Sequence, residues 1–153
     1  MQIPDDERWM QAALREAEKA QEAGEVPVGA VVVHQGKLIG RGYNRIEALQ
    51  DATAHAEIIA IGAASASLGT WRLNDCILYV TLEPCLMCAG AIRLSRISRL
   101  VYGAPDPTAG VFGSQLEVRD KGFVQVEVTA GVREAESRKM LQSFFKKIRS
   151  QQP

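Results

Sequence analysis

Apolar positions along the chain fall into two periods, and the switches between them divide it into elements. Trp9, Ala13, Ala17 and Ala20 recur at helical spacing in a stretch that begins after Asp5 and Asp6 and runs through Ala23, with Gly24 as a stop. Val28 to Val33 is continuously apolar, as a strand buried on both faces requires. A short turn, His34-Gln35-Gly36-Lys37, joins it to a second strand from Leu38 to Tyr43. The polar segment from Asn44 to Ala52 reads as a loop. It leads to Thr53, the expected N-cap of a helix from Ala54 to about Leu68 with Ile58, Ile61 and Leu68 as its core stripe.

After Gly69 and a polar turn at Asn74-Asp75, the run Ile77 to Thr81 reads as a strand, Pro84 to Ser95 as a helix and Arg99 to Tyr102 as another strand. Strand, helix and strand at these lengths make a βαβ unit with parallel strands and a right-handed crossover. A Gly- and Pro-rich loop, Gly103 to Gly113, then precedes a short helical segment. The alternation from Val124 to Val128 marks a half-solvated edge strand, and Leu141, Phe144, Phe145 and Ile148 share one side of a last helix, Glu134 to Arg149. The fold class is α/β.

Composition narrows the setting. A chain of 153 residues suits one domain, here 1–153. Eighteen basic and eighteen acidic residues give a formal charge of zero, so any nucleic-acid contact must come from local patches. Three cysteines do not form an even disulfide framework and fit a reducing compartment. Met1 to Asp6 has neither a basic n-region nor an apolar core, and no run approaches membrane-spanning length. The expectation is a soluble, cytoplasmic protein.

The chemistry concentrates in Glu83-Pro84-Cys85-Leu86-Met87-Cys88, with His55-Ala56-Glu57 upstream. Cysteines at i and i+3 in a first helical turn project to one side and can both reach one metal, at roughly 2.3 Å for each zinc–sulfur bond. Pro84 suits the first helical position, and the helix N-terminus favours ionised sulfurs. His55 adds an imidazole and leaves the fourth tetrahedral position for water. Cys76 lies a strand's length from Cys85 and His34 sits in a hairpin turn, so neither is placed to close the site. Glu57 points to a different side of its helix from His55, which suits a carboxylate that moves protons beside the metal. A redox pair and a closed structural zinc are the other readings of C-x-x-C.

His55-Ala56-Glu57 followed by Pro84-Cys85-Leu86-Met87-Cys88 resembles the H-x-E and P-C-x-x-C motifs of the cytidine and nucleobase deaminase superfamily. A wider match, from Val26-Pro27-Val28-Gly29-Ala30-Val31 through Gly42-Tyr43-Asn44-Arg45 to Gly103-Ala104-Pro105-Asp106, is most similar to the bacterial tRNA-specific adenosine deaminases. This resemblance implies a cytidine deaminase-like three-layer αβα sandwich with a five-stranded mixed sheet, a homodimer and one Zn2+ per chain. It implies zinc ligation by His55, Cys85 and Cys88 and proton transfer by Glu57. It further implies nucleotide contacts by Asn44 and Asp106, a base pocket lined by Pro27 and Val28, and the Ala56 N–H set against the base. Ala52, Thr108 and Lys146 stand where the family usually has proline, lysine and arginine.

The implied reaction is zinc-dependent hydrolytic deamination of adenosine to inosine at the wobble position of tRNA anticodons. Two other readings compete with it: a deaminase of a free nucleobase or nucleoside such as cytosine or guanine, and a non-catalytic zinc module. Glu57 argues against the last. For the first, Arg138, Lys139, Lys146, Lys147 and Arg149 cluster beside two phenylalanines, as phosphate contact requires. The same residues also fit a solvated helix face.

Overall fold

Alternate residues of the central strands feed two separate cores. Ala30, Val32, Leu78, Val80 and Leu100 face one side and Val31, Val33, Tyr79 and Val101 the other, all of them buried. The computed structural model describes residues 2–151, with side chains from residue 5. Met1, part of the N-terminal segment read above, lies outside them.

In chain order the elements are α1 (Gln2–Glu22), β1 (Gly29–His34), β2 (Lys37–Tyr43), α2 (Ile46–Leu49), α3 (Ala56–Leu68), β3 (Cys76–Leu82), α4 (Leu86–Ser95), β4 (Arg99–Ala104), a 3-10 turn (Asp120–Gly122), β5 (Glu127–Thr129) and α5 (Glu134–Ser150). The sheet order is β2-β1-β3-β4-β5. β1 pairs antiparallel with both β2 and β3, whereas β3, β4 and β5 run parallel, so the sheet is mixed. α3 and α4 cover one face, and α1 with α5 the other. The expected three-layer αβα sandwich with five strands is therefore the fold observed, with β5 at an edge.

Glycines set how closely the helices approach. A Cβ on Gly42 would lie 2.4 Å from the Ala56 carbonyl oxygen, and one on Gly40 would lie 2.4 Å from that of Ala60. Hence the buried stripe of α3 is Ala56, Glu57, Ala60 and Ala64, while Ile58, Ile61 and Leu68, the expected core stripe, are only half-buried. At this separation the sheet accepts methyl groups, not branched side chains.

Three boundaries differ from expectation. The segment after Asn44 is not wholly irregular, because Ile46–Leu49 forms one helical turn whose Glu47 and Ala48 N–H groups donate to the buried Glu25 carboxylate, at 3.1 and 2.8 Å. α3 starts at Ala56 with His55 as N-cap, and Thr53 instead donates its N–H and hydroxyl to Asp51. Pro84 precedes the N-cap Cys85 rather than occupying the first helical position.

Asp5 and Asp6 lie inside α1, not ahead of it. Asp6 is buried, accepts both terminal nitrogens of Arg99 at 2.8 and 2.7 Å, and accepts the Tyr79 hydroxyl at 2.9 Å. This ties α1 to β3 and β4. Asp6→Ala would leave a nearly buried guanidinium and a hydroxyl without their acceptor, and is expected to cost about 3–5 kcal/mol. A urea denaturation midpoint lowered accordingly, with the slope unchanged, is the measurement.

Candidate active site

Two helix starts face each other at the carboxyl end of the sheet. His55 is the N-cap of α3 and Cys85 the N-cap of α4, both with extended backbone, and Cys88 lies in the first turn of α4. The His55 Nδ1 atom is 3.7 Å from Cys85 Sγ and 3.6 Å from Cys88 Sγ. For a tetrahedral zinc with bonds of roughly 2.3 Å to sulfur and 2.0–2.1 Å to nitrogen, a ligand N···S separation of about 3.5 Å is required. The donor set therefore fits zinc in type and in spacing, with His55 offering Nδ1.

The ionisation of the trio points the same way. The hydrogen bond from Cys88, aided by His55, lowers the Cys85 thiol to about 4. Its neighbour Cys85 and then burial hold the Cys88 thiol far above its ordinary value. His55 is raised, chiefly by its contact with Cys85. A dication taking these ligands displaces the remaining protons, so metal uptake acidifies an unbuffered solution.

No fourth histidine, cysteine or acidic side chain among the described residues joins the trio. Among the described residues this trio is the only such cluster of histidine, cysteine or acidic side chains. His34 and Cys76 pair with each other in the β1–β3 register, at the opposite end of β3. Six steps along that strand separate Cys76 from Leu82, about 20 Å. A site with three protein ligands and an open position is the catalytic kind.

Glu57 follows at the second position of α3 and is only 4% exposed. Burial is the main reason that its carboxyl is pushed up to about 7, with the charge of Cys85 adding to the effect. A carboxyl balanced between its two forms near neutrality can accept a proton and return it.

Beside these groups lies a cavity of about 170 Å³, whose lining includes Val28, Asn44, His55, Glu57, Cys85 and Asp106. It is well below the roughly 300–1,000 Å³ of pockets for drug-sized ligands and has room for a single ring system. A larger groove of about 600 Å³ adjoins it, with Val26, Leu82, Asp106 and Ala109 lining both. Phe145, Arg138 and Arg149 of α5 lie along the groove.

The remaining residues singled out from sequence divide between these features. Pro27 is buried but absent from the cavity lining, where Val26 stands instead. The Ala56 N–H, expected to face a base, donates to Asn44 Oδ1 at 2.8 Å. Asn44 thus caps α3 from twelve residues upstream while also lining the cavity. Asp106 caps its own loop, accepting the Thr108 and Ala109 N–H groups at 3.0 and 3.3 Å, and lines both cavity and groove.

Two buried carboxylates that brace the cavity lining, Glu25 and Glu83, have no role legible in the sequence. Glu25 holds α2, whose Ile46 lines the cavity, and Glu83 gathers the loop after β4. The available signal was a single acidic residue beside an apolar strand, in Glu25-Val26 and in Leu82-Glu83-Pro84.

Residues 3–104 match the family described as the cytidine and deoxycytidylate deaminase zinc-binding region. A tRNA-specific adenosine deaminase of Bacillus subtilis is 48% identical over 146 residues, covering 94% of this chain and 91% of its own. A structure from studies of A-to-I editing by tRNA:A34 deaminases at the wobble position of transfer RNA superimposes with a TM-score of 0.83 at 46% identity, covering 88% of this chain and 99% of that one. A guanine deaminase from Nitrosomonas europaea gives a TM-score of 0.80 at 28% identity, covering 90% and 83%. The family match spans two thirds of the chain, and the mixed sheet carries a His55, Cys85 and Cys88 cluster of the kind that binds zinc; the chain belongs to the family described by the cytidine and deoxycytidylate deaminase zinc-binding region.

Proposed function

We propose that this chain, acting over 1–153 as one deaminase domain, converts adenosine hydrolytically to inosine at the wobble position of tRNA anticodons and releases ammonia. The observation that carries the reading is a buried carboxyl, Glu57, beside a three-ligand metal cluster in a cavity the size of one base, adjoining a groove lined by cationic and aromatic residues. The 48% identity to a tRNA-specific adenosine deaminase supports RNA as the substrate, against 28% to a guanine deaminase.

His55, Cys85 and Cys88 would hold the Zn2+. Bound zinc supplies Lewis acidity and an ionisable water at neutral pH. Glu57 would take one proton from the attacking water and deliver it to the ring nitrogen, then take the second from the newly added hydroxyl and deliver it to the amine as the C–N bond breaks, so that both protons of the water are accounted for. Asn44 braces the start of α3 and so fixes His55 and Glu57 relative to each other, and Val28 gives the base an apolar wall. Asp106 meets the flipped nucleoside or its neighbour. A hairpin loop offers bases already partly unstacked, which reduces the cost of drawing one into the cavity.

Arg138, Lys139, Lys146, Lys147 and Arg149 of α5 supply phosphate contacts. Exposed Leu86 and Leu94 on α4 and the half-buried Ile58 and Ile61 on α3 give apolar area for a second copy, which supports a homodimer. No helix among the described residues is long and apolar enough to cross a membrane. The proposed location is the cytoplasm.

The test compares an anticodon stem-loop bearing adenosine at the wobble position with free adenosine, cytosine and guanine, following ammonia release and inosine by mass spectrometry. Only the stem-loop should turn over efficiently. With about three phosphate contacts, raising salt from 50 to 200 mM should weaken its apparent affinity about twenty- to fortyfold. Efficient turnover of a free base and none of the stem-loop would overturn this reading in favour of a free-base deaminase.

A further inference from the structure

Glu83 belongs to neither the metal cluster nor the acid–base step, yet it is 2% exposed and fully engaged. Its Oε1 accepts the Asp106 N–H at 3.0 Å and the Ser114 hydroxyl, and its Oε2 accepts the N–H groups of Phe112 at 2.8 Å and Ser114 at 3.3 Å. All four donors come from the loop after β4. The loop is shaped around the carboxylate, since a Cβ on Gly110 would lie 2.3 Å from its carboxyl carbon. Two residues from Glu83, Cys85 enters the metal cluster, and between them the Pro84 carbonyl accepts the Val111 N–H at 3.1 Å.

One segment thus holds the metal at one end and the loop at the other. That loop forms part of the wall between cavity and groove, for Asp106 and Ala109 line both, with Val26 and Leu82 completing it. Wherever RNA meets this wall, its position relative to the metal is set by the short, stiff link Glu83-Pro84-Cys85. We propose that Glu83 is a positioning residue for substrate recognition: by fixing Asp106 and the rest of the loop against the metal-binding turn, it sets how the nucleotides around the reacting adenosine are held. This deepens the tRNA reading and rests on it for the substrate.

Glu83→Gln gives a sharp test. In the better of its two orientations the amide keeps one oxygen for Phe112 and Ser114 and turns its NH2 towards Asp106 N–H, donor against donor, while the Ser114 hydroxyl can rotate to accept. The hydrogen bond from the Asp106 N–H is therefore the one that breaks. Amide hydrogen exchange over 105–114 should accelerate about tenfold, with that of β3 and β4 unchanged and zinc retained at wild-type content.

KM for the stem-loop should rise about tenfold while kcat changes less than threefold. In an Asp106→Ala background the same substitution should add less than twofold, as expected of a residue acting through Asp106. A role confined to holding the fold would lower Tm and active fraction without this KM effect or this non-additivity. Unchanged exchange in the loop, a fall in kcat at constant KM, or effects that multiply in the double variant would each overturn the proposal. Should Glu83→Gln fail to fold, Ser114→Ala, which removes one donor, should give a smaller shift of the same kind, and an unchanged loop there would count against it equally. If the wild-type protein turns over no stem-loop, the substrate reading alone falls, and hydrogen exchange still decides whether Glu83 holds the loop.

Discussion

Glu57→Ala is expected to keep about one equivalent of zinc per chain while turnover of the stem-loop falls by at least 10²–10⁴, the range that general acid–base transfer alone contributes. Glu57 stands at the one position of α3 where a carboxyl is both buried against the sheet and beside the metal ligands. Burial raises it towards neutrality, so the same group can serve as base early and acid late. Glu57→Gln keeps the volume and polarity but cannot move a proton, and should lose as much activity. Because burial disfavours the charged carboxylate, neither variant should unfold the protein. Zinc analysis beside single-turnover kinetics separates the possibilities, and loss of metal together with activity would assign Glu57 to ligation or structure instead.

The second large effect concerns the sulfurs. Cys85→Ser or Cys88→Ser should release most of the zinc, because a neutral hydroxyl replaces a thiolate at a site with only three protein ligands. Cys76→Ser should retain it. That thiol is buried at the far end of β3, and burial raises it above the ordinary thiol value, which suits an inert core residue. Metal content after dialysis against a chelator gives the comparison directly. Zinc lost from Cys76→Ser as readily as from the other two would mean a fourth protein ligand, and an active site with an open position would no longer be tenable.

Much of this was legible in the chain. The residue types and spacing of His55, Cys85 and Cys88 were enough to name a zinc site, and the spacing of apolar residues located the first four strands nearly to their ends, whereas the last strand is Glu127–Thr129 rather than Val124 to Val128 and α1 begins ahead of Asp5. Misreadings gathered where a segment's partner is distant. Thr53 looked like the cap of α3, since local sequence offers nothing better, but Asn44 reaches the first helical N–H from the end of β2. Asp6 looked like a helix-start acid and is instead the buried partner of Arg99, ninety-three residues on. The isoleucines of α3 looked like core and are half-exposed, because Gly40 and Gly42 draw the helix too close for branched side chains.

By itself, then, the sequence determined the metal chemistry and the order of elements. Ligand type, the i and i+3 geometry of a helical turn and the periods of helix and strand are all properties of short windows. Only the tertiary structure decided the sheet order, the burial that shifts Glu57, the base-sized cavity and the way Glu83 ties the loop carrying Asp106 to the metal-binding turn. Each of these depends on which surfaces meet and how closely. A lone carboxylate costs free energy when buried and is held in place only once donors from a distant loop surround it, and no local pattern records which loop that will be.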